Sequence, residues 1–294
     1  MRITLTGATG FLGSHLTRLL RGAGHELRVL SRNPSGRPGF YSWDPSAGAP
    51  PLGALEGSQA VIHLAGEPLA QRWTPEAKMR IRRSRIEGTR NLVDALAALP
   101  QRPEVLVCAS AIGYYGSRGD ESLPETAPPG EGFVPEVCVE WERAADLALP
   151  LGIRVVQVRT GLALGKEGGA LRKMLPPFQA GVAGPLAGGQ QWMSWIHVTD
   201  LVRMIAWMAE TPQMSGPVNG VSPNPLRNKD FTRLLARQLK RPAVMPVPSF
   251  ALHAIYGEMA GLLIESQKVV PAVAMRADFR FQFPALADAL RDLL

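Results

Sequence analysis

The chain has 294 residues, 46% of them hydrophobic and 19% charged, with a formal net charge of +7 and a pI near 9.8. These values are ordinary for a folded, soluble protein made of one large domain, or of a domain with a substantial lobe. The only cysteines, Cys108 and Cys138, make no disulfide framework, so a reducing cytoplasm is the expected compartment.

The first strand is read at residues 2–6, and a helix follows over 12–22 with Leu12, Leu16, Leu19 and Leu20 on one face. Between them lies "TGATGFLG", a GxxGxxG turn opening a helix directly after a strand. That context lets the backbone approach a pyrophosphate and sets its charge on a helix N-terminus. Gly7, Thr9, Gly10, Phe11, Leu12 and Gly13 are therefore assigned to a dinucleotide cofactor. The second strand, 26–30, ends at Ser31-Arg32, 18 residues after Gly13. A cofactor with a free ribose 2′-OH usually meets an Asp or Glu there. Here no carboxylate is present, and the planar fork of Arg32 suits a 2′-phosphate instead. The expected cofactor is NADP(H).

Further along, strands are read at 59–66, 104–110 and 153–159, and helices at 83–99 and 140–149. Strands this apolar are buried on both faces, as in a parallel sheet covered by helices. The fold class is α/β, a doubly wound parallel Rossmann-type sheet with a smaller C-terminal substrate lobe. Residues 1–160 and 195–221 are assigned to the nucleotide-binding domain, and 161–194 with 222–294 to the lobe. The lobe is marked by Gly- and Pro-rich sequence over 161–194 and a helix near 228–240, while the strand running into a helix at 195–209 returns to the nucleotide-binding domain. The apolar stretches 201–209 and 250–264 are broken by Arg203, His253 and Glu258, so no membrane span is expected. The N-terminus enters a strand with no signal-peptide pattern. The basic run "KMRIRRSRIEGTR" (78–90) has no aromatic platform, so it reads as a solvated helix face rather than a nucleic-acid site. Within it Arg85 is the best candidate to reach a cofactor or substrate phosphate. No Cys/His/Asp spacing of metal type occurs, so no metal is expected.

With these residues in view, the chain resembles the extended short-chain dehydrogenase/reductase superfamily. "TGATGFLG", "VIHLAG", "EGTRNLVDAL" and "WIHVTDLVRMI" are similar to its cofactor turn, third-strand motif, following helix and late strand-helix junction. "WDP", "AGEPL", "GYYG", "VCVEWE", "GGPLAGGQQWMSWIHVTDL" and "SQKVVPAVA" resemble one atypical branch of it. This branch holds epimerase-like proteins of unknown substrate with a C-terminal domain of unknown function. The resemblance covers essentially the whole chain. It implies a Rossmann fold and NADP binding, with Ser31, Arg32, Leu64, Ala65 and Arg85 as cofactor contacts.

Conventional members carry a Tyr-x-x-x-Lys pair, the tyrosine as general acid/base. Aligned on Glu142, that pair falls on Val134 and Cys138, and neither can do its work. The superfamily's serine falls on Ala111, beside Ser110. Tyr115, Ser110, Glu67 and His197 are the residues left to orient a substrate or move a proton. Two functions follow. One is an NADP(H)-dependent oxidoreductase or epimerase acting on a small carbonyl or sugar-like substrate. The other is a non-catalytic NADP(H)-binding sensor. The partner expected is a small molecule, with no nucleic acid and no membrane. The oligomeric state is left open, a homodimer included.

Overall fold

The computed structural model describes residues 1–34 and 36–294. Seven strands form the central sheet: β1 (Arg2–Thr6), β2 (Glu26–Ser31), β3 (Phe40–Ser42), β4 (Ala60–His63), β5 (Val105–Ala111), β6 (Arg154–Thr160) and β7 (Gly216–Gly220). Their order is β7-β6-β5-β4-β1-β2-β3, and every pairing is parallel. The chain winds outward in both directions from β1 and β4. That reversal opens a crevice at the strands' C-terminal ends, where doubly wound sheets hold ligands.

Alternation along each strand decides which helices cover it. Ile3 and Leu5 of β1 face a core shared with α1 (Phe11–Gly22) and α5 (Val198–Glu210). Val61 of β4 and Leu106 of β5 face the opposite core, under α2 (Pro75–Ala97) and α3 (Phe133–Asp146). A third apolar cluster holds the lobe together. It joins Leu171 and Phe178 of α4 (Gly169–Gln179), Phe231 and Leu235 of α6 (Asn228–Leu239), and Leu286, Leu290 and Leu293 of the helix Leu286–Leu293. Trp195, expected in the nucleotide-binding part, is fully buried in this lobe core.

The differences from the sequence reading have local causes. The third strand stops at His63, not residue 66, because the amides of Leu64 and Ala65 turn to the Thr6 hydroxyl. Helix α2 starts eight residues before the expected 83, capped by the Thr74 side chain with Pro75 in its first turn. Helix α3 starts at Phe133 rather than 140, since Pro135 falls in the first turn where no amide is needed. Strands β3 and β7, absent from that reading, are short edge strands; β7 is "GPVNG", poor in strand-forming residues.

Candidate functional site

The turn after β1 is built for close approach. Gly7 has φ +71°, and a Cβ there would lie 2.8 Å from the Leu64 carbonyl carbon. A Cβ on Gly13 would lie 2.1 Å from the Gly7 oxygen, so this glycine sets how tightly α1 packs on the turn. Gly10 caps α1 with no side-chain bond, and the first turn carries no acidic residue. Its leading amides are thus aimed at a ligand anion.

This turn forms one wall of a cleft of about 450 Å³ at the switch point. Gly7, Thr9, Gly10, Ser31, Arg32, Leu64 and Ala65 all line it, and so does Glu67. Phe11, Leu12 and Gly13 do not. The Phe11 ring packs where Cβ atoms on Gly165, Gly168 and Gly169 would stand, so it clamps the loop before α4. Asp44, which sequence reading passed over, brings a carboxylate to the cleft beside Ser31 and Arg32. Its Oδ1 already accepts from the Ser46 hydroxyl and amide, and those bonds hold its pKa below the usual carboxylate range.

A second cavity, of about 250 Å³, lies beside the first and is largely apolar. Ser110, Val134, Cys138 and Arg85 share it with Phe133 and Trp141. Val134 and Cys138, the positions aligned with the missing Tyr and Lys, thus both line this small cavity. Arg85 lines this cavity and not the cleft, which is lined instead by Arg80 and Arg83. The Arg85 side chain runs inward from α2 because it occupies the buried stripe that also carries Ala77, Ile81, Thr89 and Leu92.

Behind Ser110 stands a buried polar chain. Ser110 donates to Glu142 Oε1 at 2.6 Å, and Arg159 grips both Glu142 oxygens at 2.8 Å. Arg159 also donates to the Tyr115 hydroxyl at 2.9 Å, and Tyr115 donates to Asn219 Oδ1 at 2.7 Å. Tyr115 is fully buried, and burial pushes its phenol up to about 12. It lines neither cavity, and its proton is already held by Asn219. His197 also stands apart. Its Nδ1 caps α5 by accepting from Thr199, and its ring stacks on Phe283 at 4.0 Å. Burial holds its pKa down, and Nε2 lies 3.3 Å from Asp292 Oδ2 without the alignment of a hydrogen bond. Of the four residues singled out for proton work, Glu67 faces the cleft and Ser110 the small cavity.

A parallel sheet wound in this order, with a glycine-lined cleft over its switch point, defines a dinucleotide-binding protein of the Rossmann class. Comparison with known proteins then narrows the class. Residues 3–220 match the NAD dependent epimerase/dehydratase family, and residues 247–293 match a domain of unknown function, DUF1731. The chain belongs to that epimerase/dehydratase family. It is 42% identical over 305 residues to the chloroplastic "Epimerase family protein SDR39U1 homolog" of Arabidopsis thaliana, covering 100% of this chain and 87% of the relative. It is 38% identical over 299 residues to "Epimerase family protein YfhF" of Bacillus subtilis, covering 100% and 98%. The crystal structure of the human epimerase family protein SDR39U1 (isoform2) with NADPH superposes with a TM-score of 0.91. That chain is 34% identical, with coverage of 100% and 99%. No helix among the described residues is long and apolar enough to cross a membrane.

Proposed function

We propose that the protein is an NADP(H)-dependent oxidoreductase or epimerase acting on a small carbonyl or sugar-like substrate. The observation that carries this reading is the pairing of Ser31 and Arg32 on the cleft wall at the end of β2. A guanidinium at that place favours a 2′-phosphate, and the α1 amides with Gly7 and Gly10 suit the pyrophosphate. The human relative's structure with NADPH supports the same assignment. When bound, the cofactor supplies hydride chemistry, and the protein is left to orient the substrate and manage a proton.

In this reading Ser110 is the polar group at the reacting end. Its own proton goes to Glu142, which leaves the oxygen of this cavity-lining residue free to accept. It is poised to accept a hydrogen bond from a substrate hydroxyl and to pass a proton toward the carboxylate. Glu67 is the second proton-carrying group, on the cleft side. Tyr115 is a brace for Arg159, and His197 is a helix cap.

The test is calorimetry with both cofactors. NADPH should bind at least about tenfold tighter than NADH, and Arg32→Asp should erase or invert that preference. Equal affinities in the unaltered protein would overturn the assignment. Loss of nicotinamide absorbance with a panel of carbonyl compounds then reports turnover. One feature favours a second reading, a cofactor-binding sensor without catalysis: Val134 and Cys138, on which the usual acid and its lysine align, line the small cavity with no phenol or amine there. If no compound turns over while NADPH binds tightly, the sensor reading replaces the first.

A further inference from the structure

Residues 242–257, "PAVMPVPSFALHAIYG", contain no Asp, Glu, Lys or Arg, yet they run over the surface of the lobe. They form an extended strip followed by a short helix, α7 (Ser249–Tyr256). Backbone bonds hold the strip in place. The Met245 amide donates to the Ala183 carbonyl at 3.1 Å, and the Val247 amide to the Pro185 carbonyl at 2.9 Å. Its side chains nevertheless face solvent. Val244 is 77% exposed, Phe250 76% and Ile255 62%, and Met245 and the neighbouring Val182 are exposed as well. Of α7 only Leu252 is buried. A helix this apolar all round is ordinarily covered, and an exposed apolar patch rimmed by polar residues marks a surface that meets a partner.

The charges around the patch say what kind of partner fits. Segments 168–199 and 231–257 carry no Asp or Glu, and between them six cations: Arg172 and Lys173 of α4, Arg233 and Arg237 of α6, then Lys240 and Arg241. All six are exposed. Among the described residues only Arg233 has a carboxylate within ion-pair reach, Asp230 at 3.4 Å. Arg241 leads directly into the apolar strip, and Arg237 lies about one helical turn before it. An isologous contact with a second copy would set these same cations against one another. A nucleic acid would leave Val244, Met245 and Ile255 facing sugar and phosphate. An anionic bilayer meets both needs, since apolar side chains enter its interface while basic ones stay among the headgroups.

We propose that the strip 242–248 and helix α7 dock the lobe on an anionic lipid surface, with Val244, Met245, Phe250 and Ile255 entering the interface and Arg237, Lys240 and Arg241 on the headgroup phosphates. The sequence led us to expect no membrane partner because no segment can span a bilayer. Lying on one asks only for an apolar face with a basic rim. The proposal is independent of cofactor binding and of turnover.

Co-sedimentation with large unilamellar vesicles tests it, one set of phosphatidylcholine and one of phosphatidylcholine and phosphatidylglycerol in equal parts. The protein should bind the mixed vesicles at least about tenfold tighter than the neutral ones, and added salt should weaken that binding. Phe250→Ser combined with Val244→Ser should weaken it at least about tenfold, and Arg237→Gln combined with Lys240→Gln to a similar degree. Both pairs lie outside the cleft, so an unchanged NADPH affinity reports that each variant is folded. Should a paired variant not fold, Phe250→Ser or Lys240→Gln alone takes its place. No binding to the mixed vesicles, or equal binding to both kinds, overturns the proposal. So does vesicle binding that survives loss of Phe250 and Val244 in folded protein. A dimer in sedimentation velocity that dissociates in the Phe250 and Val244 variant, with no vesicle binding by the unaltered protein, assigns the face to a second copy and overturns it. An oligonucleotide bound tighter than the mixed vesicles, and released by the Arg237 and Lys240 variant, assigns the cations to a nucleic acid and overturns it too.

Discussion

His63 and Thr6 show how two buried side chains shape the lip of the cleft. The Thr6 hydroxyl accepts from the amides of Leu64 and Ala65, both at 3.1 Å, so its own proton must go to His63 Nδ1 at 2.8 Å. The imidazole is thereby neutral with its proton on Nε2, and burial holds its pKa at about 4. An unfolded histidine titrates near 6.5. Because the folded value is the lower one, the stabilisation is whole above about pH 6.5 and is lost as the pH falls toward 4. The loss should reach roughly 2 kcal/mol by pH 5 and about 3 kcal/mol in all. Burial also lowers His15 and His197, so the comparison with His63→Gln in urea unfolding isolates this group. A flat difference between the two proteins across that range would refute the lowered pKa of His63. Tyr115→Phe makes a separate test. It strips a hydroxyl from between Asn219 and Arg159, which should cost about 1–3 kcal/mol in unfolding free energy. NADPH affinity and any turnover should be unchanged; a large fall in turnover at full stability would return Tyr115 to the reaction.

At the scale of elements, the β1–α1 unit makes the sharpest prediction. Gly13→Ala drives a methyl group to 2.1 Å from a backbone oxygen that has nowhere to move. Unfolding should become easier by about 3 kcal/mol, and NADPH binding should fall with it. Gly22, in the last turn of the same helix, meets nothing within 4 Å. Gly22→Ala should be neutral or stabilise by up to about 1 kcal/mol, which serves as the control. This unit was legible because its apolar runs, glycine spacing and helix face agree locally. The edge strand β7 was not, since "GPVNG" gains its strand conformation from pairing with β6, a neighbour distant in sequence. Arg85 lay between these cases. Its place in the stripe Ala77, Ile81, Arg85, Thr89 marks it as inward-facing, yet a crowd of basic neighbours on the exposed face concealed that signal. The surroundings of Tyr115 were hidden for a different reason: it follows a strand at the ligand-binding rim, but Arg159 and Asn219 reach it from other strands. Distance across the sheet carries no local pattern.

For the molecule as a whole, the sheet and the lobe are tied at the start of α5. Asp200 is fully buried and accepts from the amides of Gln282 and Phe283, both at 2.8 Å, and from Arg203 at 3.0 Å. Asp200→Asn keeps the shape and removes the charge. It should cost about 1.5–3 kcal/mol and expose the segment around 278–284 to limited proteolysis before global unfolding. Cleavage no faster than in the unaltered protein would mean that the stacking of Phe283 on His197 suffices. The same tie sets an order of events during synthesis. Strands β1 to β7 are all made by residue 220, so the sheet can assemble while the chain is still growing. Leu171, Phe178, Phe231 and Leu235 stay without their final cover until residues 286–293 have been made. A ribosome that stalls in this interval holds a finished nucleotide-binding sheet joined to a sticky, half-built lobe, and that nascent form is the one chaperones should meet.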